Sequence, residues 1–182
     1  MKTIYILALV LLCAAFKPAD DQQVNLAKSK VTWTGHAETG AYDPTGSIDM
    51  KTAKVSMNGD QLTGATIVMD MNTVRHENND LQEHLKKADF FDTRKYPEAV
   101  FKLTAVNGNQ ATGKLTIKGI SQGLSFPFTL QKEAGRITIQ AKIKVDRTKF
   151  GIKYNSSSFF QDLGSYAIKN DFDLVVTIVI GG

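Results

Sequence analysis

Between Ile137 and Val145 every second residue is apolar: Ile137, Ile139, Ala141, Ile143 and Val145 alternate with Thr138, Gln140, Lys142 and Lys144. A strand turns successive side chains to opposite faces, so this segment predicts a strand with one dry face and one wet face. Leu124, Phe126, Phe128 and Leu130, alternating with Ser125, Pro127, Thr129 and Gln131, predict another. Shorter runs of the same kind lie at Val31 to Gly35, Gly46 to Met57, Ala65 to Thr73, Phe101 to Ala105, Ala111 to Ile117 and Phe172 to Ile180. The pattern therefore predicts an all-β chain of about eight antiparallel strands. Its polar faces carry Lys, Thr and Gln, so the apolar faces point inward, the reverse of an outer-membrane barrel. A soluble barrel or sandwich follows.

The connections sort into two kinds. Asn58-Gly59-Asp60, Asn107-Gly108-Asn109 and Glu133-Ala134-Gly135 read as tight hairpin turns, the first two with the Asn-Gly chemistry that positive φ favours. In an up-and-down meander these three fall at one end. Four longer connections, Thr39 to Thr45, Arg75 to Pro97, Lys118 to Gly123 and Thr148 to Asp171, are then expected at the other. Two of them exceed about 15 residues, a length that is uncommon in a compact domain unless it serves a function. The first of these two predicts a helix, with Asn79 as its cap, Asp80 in the first turn, Gln82 completing a capping-box variant, and Leu81, Leu85 and Ala88 as an apolar stripe. The second holds small polar residues beside Phe159 and Phe160, a composition suited equally to a lid or to a packed surface loop.

Two cations interrupt the apolar faces. Arg147 takes the next inward position after Val145, and Arg75 continues the inward series Ala65, Ile67, Met69, Met71 and Thr73. A guanidinium aimed into an apolar interior calls for an anionic partner. Asp80, Asp89, Asp92 and Asp146 are candidates within the protein, and Lys149 and Lys153 lie close in sequence. The alternative partner is an anionic ligand such as a carboxylate or pyrophosphate.

Composition adds limits to this picture. At 182 residues, with 42% hydrophobic and 22% charged content, one domain with a real core is expected. Met1 to Phe16 differs from the rest: Lys2 is followed by an apolar or small run from Ile4, too short for a membrane span. Residues 1–15 read as a secretory signal peptide and 16–182 as the domain, which implies a periplasmic or secreted protein. The only cysteine, Cys13, lies inside that leader; lipoprotein anchoring there is the weaker reading, because Leu12 precedes it where a small residue is usual. The net charge of +4, without a basic run or aromatic-basic stripe, gives no footprint for nucleic acid.

Catalytic signatures are sparse. His36, His76 and His84 show no metal-ligand spacing, and no cysteine remains past the leader to act as nucleophile. Ser156 to Ser158 lack a glycine-flanked elbow, and no phosphate-binding glycine loop occurs. The sequence predicts no enzyme, no cofactor and no metal. Should chemistry occur on a bound amphiphile, His84 is the acid or base to examine.

Four motifs, in order, resemble a known family. They are Asp89-Phe90-Phe91-Asp92 with His84-Leu85 upstream, Tyr96-Pro97 with Phe101, Gly113-Lys114-Leu115-Thr116-Ile117-Lys118-Gly119, and Asp146-Arg147-Thr148-Lys149-Phe150-Gly151-Ile152. This set is similar to that of the YceI family of bacterial secreted proteins, over essentially the whole chain past the leader. The resemblance implies a lipocalin-like antiparallel barrel that holds a long-chain amphiphile, such as a polyisoprenoid, without catalysis. On that reading the register nominates Trp33, Ile67, Met69, Met71, Phe101, Leu103, Leu115, Ile117, Phe126, Phe128, Ile139, Ile143 and Leu174 as lumen residues. Arg75, His84, Arg147, Phe150, Phe159 and Phe160 are nominated for the head group or mouth. Each has a plainer reading as core filling or structural pairing, because an eight-stranded barrel can be packed solid. The expected partner is thus a lipid or isoprenoid, with no stable membrane insertion; a homodimer is left open and no delivery partner is specified. A ligand-free protein-interaction module is the alternative.

Overall fold

The computed structural model describes residues 20–40 and 42–182. The leader and Cys13 lie outside the described residues. Nine strands form among the described residues: β1 (Asp20–Gln23), β2 (Lys30–Thr34), β3 (Thr45–Asn58), β4 (Gln61–Arg75), β5 (Glu98–Asn107), β6 (Gln110–Ile117), β7 (Ile120–Glu133), β8 (Arg136–Asp146) and β9 (Asp171–Gly181). From β2 to β9 each strand pairs antiparallel with the next, and β9 pairs back on β2, so the sheet closes as an up-and-down barrel. Closure pairs the first barrel strand with the last and so removes the two free end strands that an open sheet of this size would have to protect by other means.

The barrel has eight positions although nine strands are present. Against β3, β1 runs from Asp20↔Met57 to Gln23↔Lys54, and β2 resumes at Val31↔Ile48. Val24 bridges to Ile180 and Lys30 pairs with Thr177, so β1 and β2 are two pieces of one interrupted strand between β3 and β9. The interruption leaves Val179 satisfied: its N–H donates to Ser29 Oγ at 3.0 Å, and its carbonyl accepts from Asn25 N–H at 2.8 Å. Backbone groups lost to a break in the ladder must find such substitutes.

The period-two pattern sets the inside. Burial alternates regularly along β6, and the inward residues of β8 are buried or half-buried as its sequence pattern requires. Gly59 and Gly108 take the left-handed conformation, at φ 58° and 59°, in two of the three hairpins that close one end. One expected long connection is absent. Lys118-Gly119 is a two-residue turn, both residues with positive φ (51° and 73°), and β7 starts at Ile120 rather than after Gly123. Lysine is an uncommon residue in that conformation, which is why its sequence reads as loop.

The other end carries three elaborate connections. Residues 35–44 link β2 to β3; helix α1 (Asn79–Lys86) lies between β4 and β5; residues 147–170, with 3₁₀ turns at Arg147–Phe150 and Gly164–Tyr166, link β8 to β9. The helix is capped one residue earlier than expected, by Asn78, whose Oδ1 accepts from Leu81 N–H at 3.1 Å. Gln82 Oε1 accepts from His76 N–H rather than completing a capping box. No helix among the described residues is long and apolar enough to cross a membrane.

Candidate ligand-binding lumen

Among the described residues, an upper and a lower cavity lie inside the barrel. The upper one, beneath the elaborate loops, measures about 400 Å³. The lower one measures about 70 Å³. Val31, Met69, Leu115 and Leu174 line both, and so form a waist between them. All thirteen nominated lumen positions line at least one chamber. Trp33, Met71 and Ile117 face the upper chamber, together with Met69, Leu115 and Leu174 of the waist. Ile67, Phe101, Leu103, Phe126, Phe128, Ile139 and Ile143 face the lower one, where the Phe101 and Phe126 ring centroids are 5.5 Å apart.

The nominated mouth residues divide. His84 and Arg147 line the upper chamber; Arg75, Phe150, Phe159 and Phe160 do not. Arg75 is turned outward by an irregularity in β4. Ser47 pairs with Arg75 but Asp49 pairs with Asp70, so β4 carries three extra residues there. An odd insertion exchanges the two faces of a strand, which buries Val74 and exposes Arg75. Its guanidinium pairs with Asp49 on the outside, Nη1 to Oδ1 at 3.0 Å, and with none of the four carboxylates expected. Phe150 is 1% exposed and packs into the core from the first 3₁₀ turn. Phe159 and Phe160 face solvent, and Lys153 Nζ sits 4.6 Å from the Phe159 ring centroid.

Arg147 does point inward and is 2% exposed, yet its partners are not carboxylates. Its Nε donates to the Lys169 carbonyl at 3.0 Å, Nη1 to that of Ile152 at 3.0 Å and Nη2 to that of Ile168 at 2.9 Å. Burial holds its pKa below the ordinary guanidinium value, and the charge of Asp146 opposes that shift. Asp146 itself turns away to cap the 3₁₀ turn, its Oδ1 accepting from Thr148 N–H at 2.9 Å and from Thr148 Oγ at 2.6 Å. Main-chain carbonyls carry partial negative charge and can solvate a buried guanidinium, an option the sequence pattern does not reveal.

Several wall residues come from loops, where no period marks them. His84 is held by Asp89, Nε2 to Oδ2 at 3.0 Å, and its ring meets Tyr154 edge-on at a centroid distance of 4.5 Å. Phe90, from the Asp-Phe-Phe-Asp segment, joins this group, 5.1 Å from Phe91 and 6.3 Å from Tyr154. His36, on the 35–44 loop, lies between Asp43 (3.1 Å) and Asp173 (3.0 Å). Leu81 of the helix stripe, Tyr154 and Ile168 also line the chamber. Phe90, Phe91 and Leu81 are not among the nominated residues, although the motif run and the helix stripe mark them in the sequence; nothing local marks His36, Tyr154 or Ile168 as wall residues.

Such a barrel, tied shut by hairpins at one end and hollow beneath covering loops at the other, defines a lipocalin-like lumenal fold. The chain belongs to the family of YceI-like domains, whose model matches residues 22–180. Curated relatives include UPF0312 proteins of Staphylococcus aureus, 28% identical over 51% of this chain and 58% of that protein, and of Pseudomonas putida, 30% identical over 59% and 52%. The match thus spans little more than half the length of those relatives. Among solved structures, Burkholderia cenocepacia BcnA is 22% identical with a TM-score of 0.73, over 86% of this chain and 99% of that one. A polyisoprenoid binding domain from Saccharophagus degradans, implicated in plant cell wall breakdown, is 12% identical with a TM-score of 0.68, over 91% and 99%. A Campylobacter jejuni YceI protein is 18% identical with a TM-score of 0.61, over 100% and 99%. At these identities the likeness carries the fold.

Proposed function

We propose that this protein binds a long-chain amphiphile, a polyisoprenoid or related lipid, and sequesters or transports it without chemistry. The observation that carries the proposal is the upper chamber: an apolar space of about 400 Å³, within the range of ligand sites, with its polar side chains gathered at the loop end. It supports the lipid reading over an interaction module packed solid. The fold shared with a polyisoprenoid binding domain points the same way.

Affinity comes from the tail. Each buried methylene contributes about 0.8 kcal/mol, so ten carbons supply roughly 8 kcal/mol before the costs of ordering and association. A head group beside His84, Tyr154 and the Arg147 rim adds about 1–3 kcal/mol and chiefly sets orientation. The apolar leader adds a periplasmic or secreted setting to the proposal.

Organic extraction and mass spectrometry of protein purified from its own host tests this directly, with a co-purified amphiphile expected. Trp33 is the only tryptophan and lines the chamber, so its emission reports entry of added prenyl and fatty-acyl probes. A lumen that is empty as isolated and leaves Trp33 emission unchanged with every probe sinks the proposal.

A further inference from the structure

We infer that the lumen is a blind chamber gauged for a tail of about sixteen carbons, and that it discriminates against much longer polyprenyl chains. The inference rests on the amphiphile reading above and narrows it. Strand length alone suggests otherwise: strands of about ten residues, tilted near 40°, enclose a lumen about 25 Å tall, enough for an extended long chain.

The space does not run that height. An apolar cavity of about 150 Å³ accommodates benzene, or about 25 Å³ for each carbon. By the same measure the upper chamber, at about 400 Å³, takes about sixteen carbons. Beyond the waist of Val31, Met69, Leu115 and Leu174, the lower chamber of about 70 Å³ adds room for about three more. Phe101, Phe126 and Phe128 line this lower chamber. Phe101 lies so close over β6 that a Cβ at Gly113 would sit 2.5 Å from the Phe101 ring, which leaves no slack for that ring to retreat.

The waist is the gauge. Met69 is its unbranched, adaptable member, while Leu115 is 3% exposed and fixed in the register of β6 against β5 and β7. A tail that reaches the waist has buried all its methylenes; a longer one must fold back or leave carbons in water. Affinity should therefore climb with chain length and then stop.

The test is a chain-length series read by Trp33 emission: saturated fatty acids from octanoate to tetracosanoate, and prenols from farnesol to an octaprenol. Dissociation constants should fall steadily up to about the length of palmitate and then level or rise, with the octaprenol at least tenfold weaker than farnesol. Leu115→Ala should move the optimum longer by about three carbons, and adding Ala141→Leu, which fills the lower chamber, should return it. Tightest binding by the octaprenol, or affinity still climbing at tetracosanoate, overturns the length limit and leaves amphiphile binding intact. An unchanged optimum in a folded Leu115→Ala variant removes the waist as the gauge. Should that variant not fold, the wild-type series decides the limit and Met69→Ala takes its place at the waist. Failure of every probe at every length defeats the amphiphile reading itself.

Discussion

Arg147 Nη2 lies 2.9 Å from the carbonyl oxygen of Ile168, 21 residues further along the chain. With its bonds to Ile152 and Lys169, this guanidinium ties both ends of the β8–β9 connection over the upper chamber. Arg147→Met keeps the bulk and removes all three donors. Leaving buried carbonyls unpaired costs about 1–3 kcal/mol each, tempered by water entering the loosened loop, so a loss of about 2–4 kcal/mol in denaturant unfolding is expected. Arg147→Lys should recover little of it, because a single ammonium cannot span three carbonyls. If the folded Met variant binds ionised amphiphiles as the wild type does, Arg147 acts through the loops alone.

His36 fastens the neighbouring 35–44 loop to the same β8–β9 connection. Its ring contacts Asp43 within its own loop and Asp173 on β9, and its carbonyl accepts from Lys169 N–H at 2.9 Å. Ala37 bridges Ile168, and Glu38 N–H donates to the Ala167 carbonyl at 2.9 Å, so the two covering loops form a short ribbon. His36→Ala should cost only about 1 kcal/mol globally, since both carboxylates are half in water. Its local effect should be larger: the amides of Ala37, Glu38 and Lys169 should exchange with solvent at least fivefold faster, while those of β8 do not change. Equal exchange in the two proteins would show that the ribbon holds without the histidine.

Gly46 marks a close approach of backbone and ring on β3. A Cβ there would lie 1.9 Å from the Arg75 carbonyl oxygen and 2.6 Å from Cζ2 of Trp33, its cross-strand partner. The ring cannot yield without entering the chamber, and the carbonyl belongs to the β3–β4 ladder. Gly46→Ala should therefore lower stability by about 3 kcal/mol and shift Trp33 emission. A normal melting curve with native emission would show that the irregularity in the β3–β4 ladder absorbs the methyl group.

Strand faces were legible in the sequence because a pleated strand writes its burial at period two, and Phe126, Ile139 and Ile143 landed inside for that reason. Arg75 shows where that reading stops. Its face was extrapolated through Asn72 and Thr73, but Thr73 Oγ accepts from Asp49 N–H and donates to the Asp70 carbonyl, building an irregularity that reverses the face. The Lys118-Gly119 turn and the inward fold of Phe150 were likewise decided by backbone geometry that composition does not record. Tyr154 and Ile168 reach the chamber through loops whose course is set by long-range hydrogen bonds, such as that of Ile168 N–H to the Asn155 carbonyl at 2.8 Å.

Tyr154 and His84 form a bar between the β8–β9 connection and α1. Their rings meet at 85° with centroids 4.5 Å apart, Phe90 packs against both, and Tyr154 and His84 line the chamber. An edge-to-face pair of this kind contributes about 0.5–1.5 kcal/mol, so Tyr154→Ala should reduce stability only modestly. Its main effect should be on access. Acrylamide quenching of Trp33 needs no knowledge of the ligand and should rise at least twofold in the variant. Stopped-flow displacement of a bound fatty-acyl probe should show release accelerated about tenfold, as expected if the bar contributes about 1.4 kcal/mol to retention. Release and quenching that both match the wild type would mean that the tail leaves by another route, and the seam between the 35–44 loop and the β8–β9 connection would then be the gate to examine.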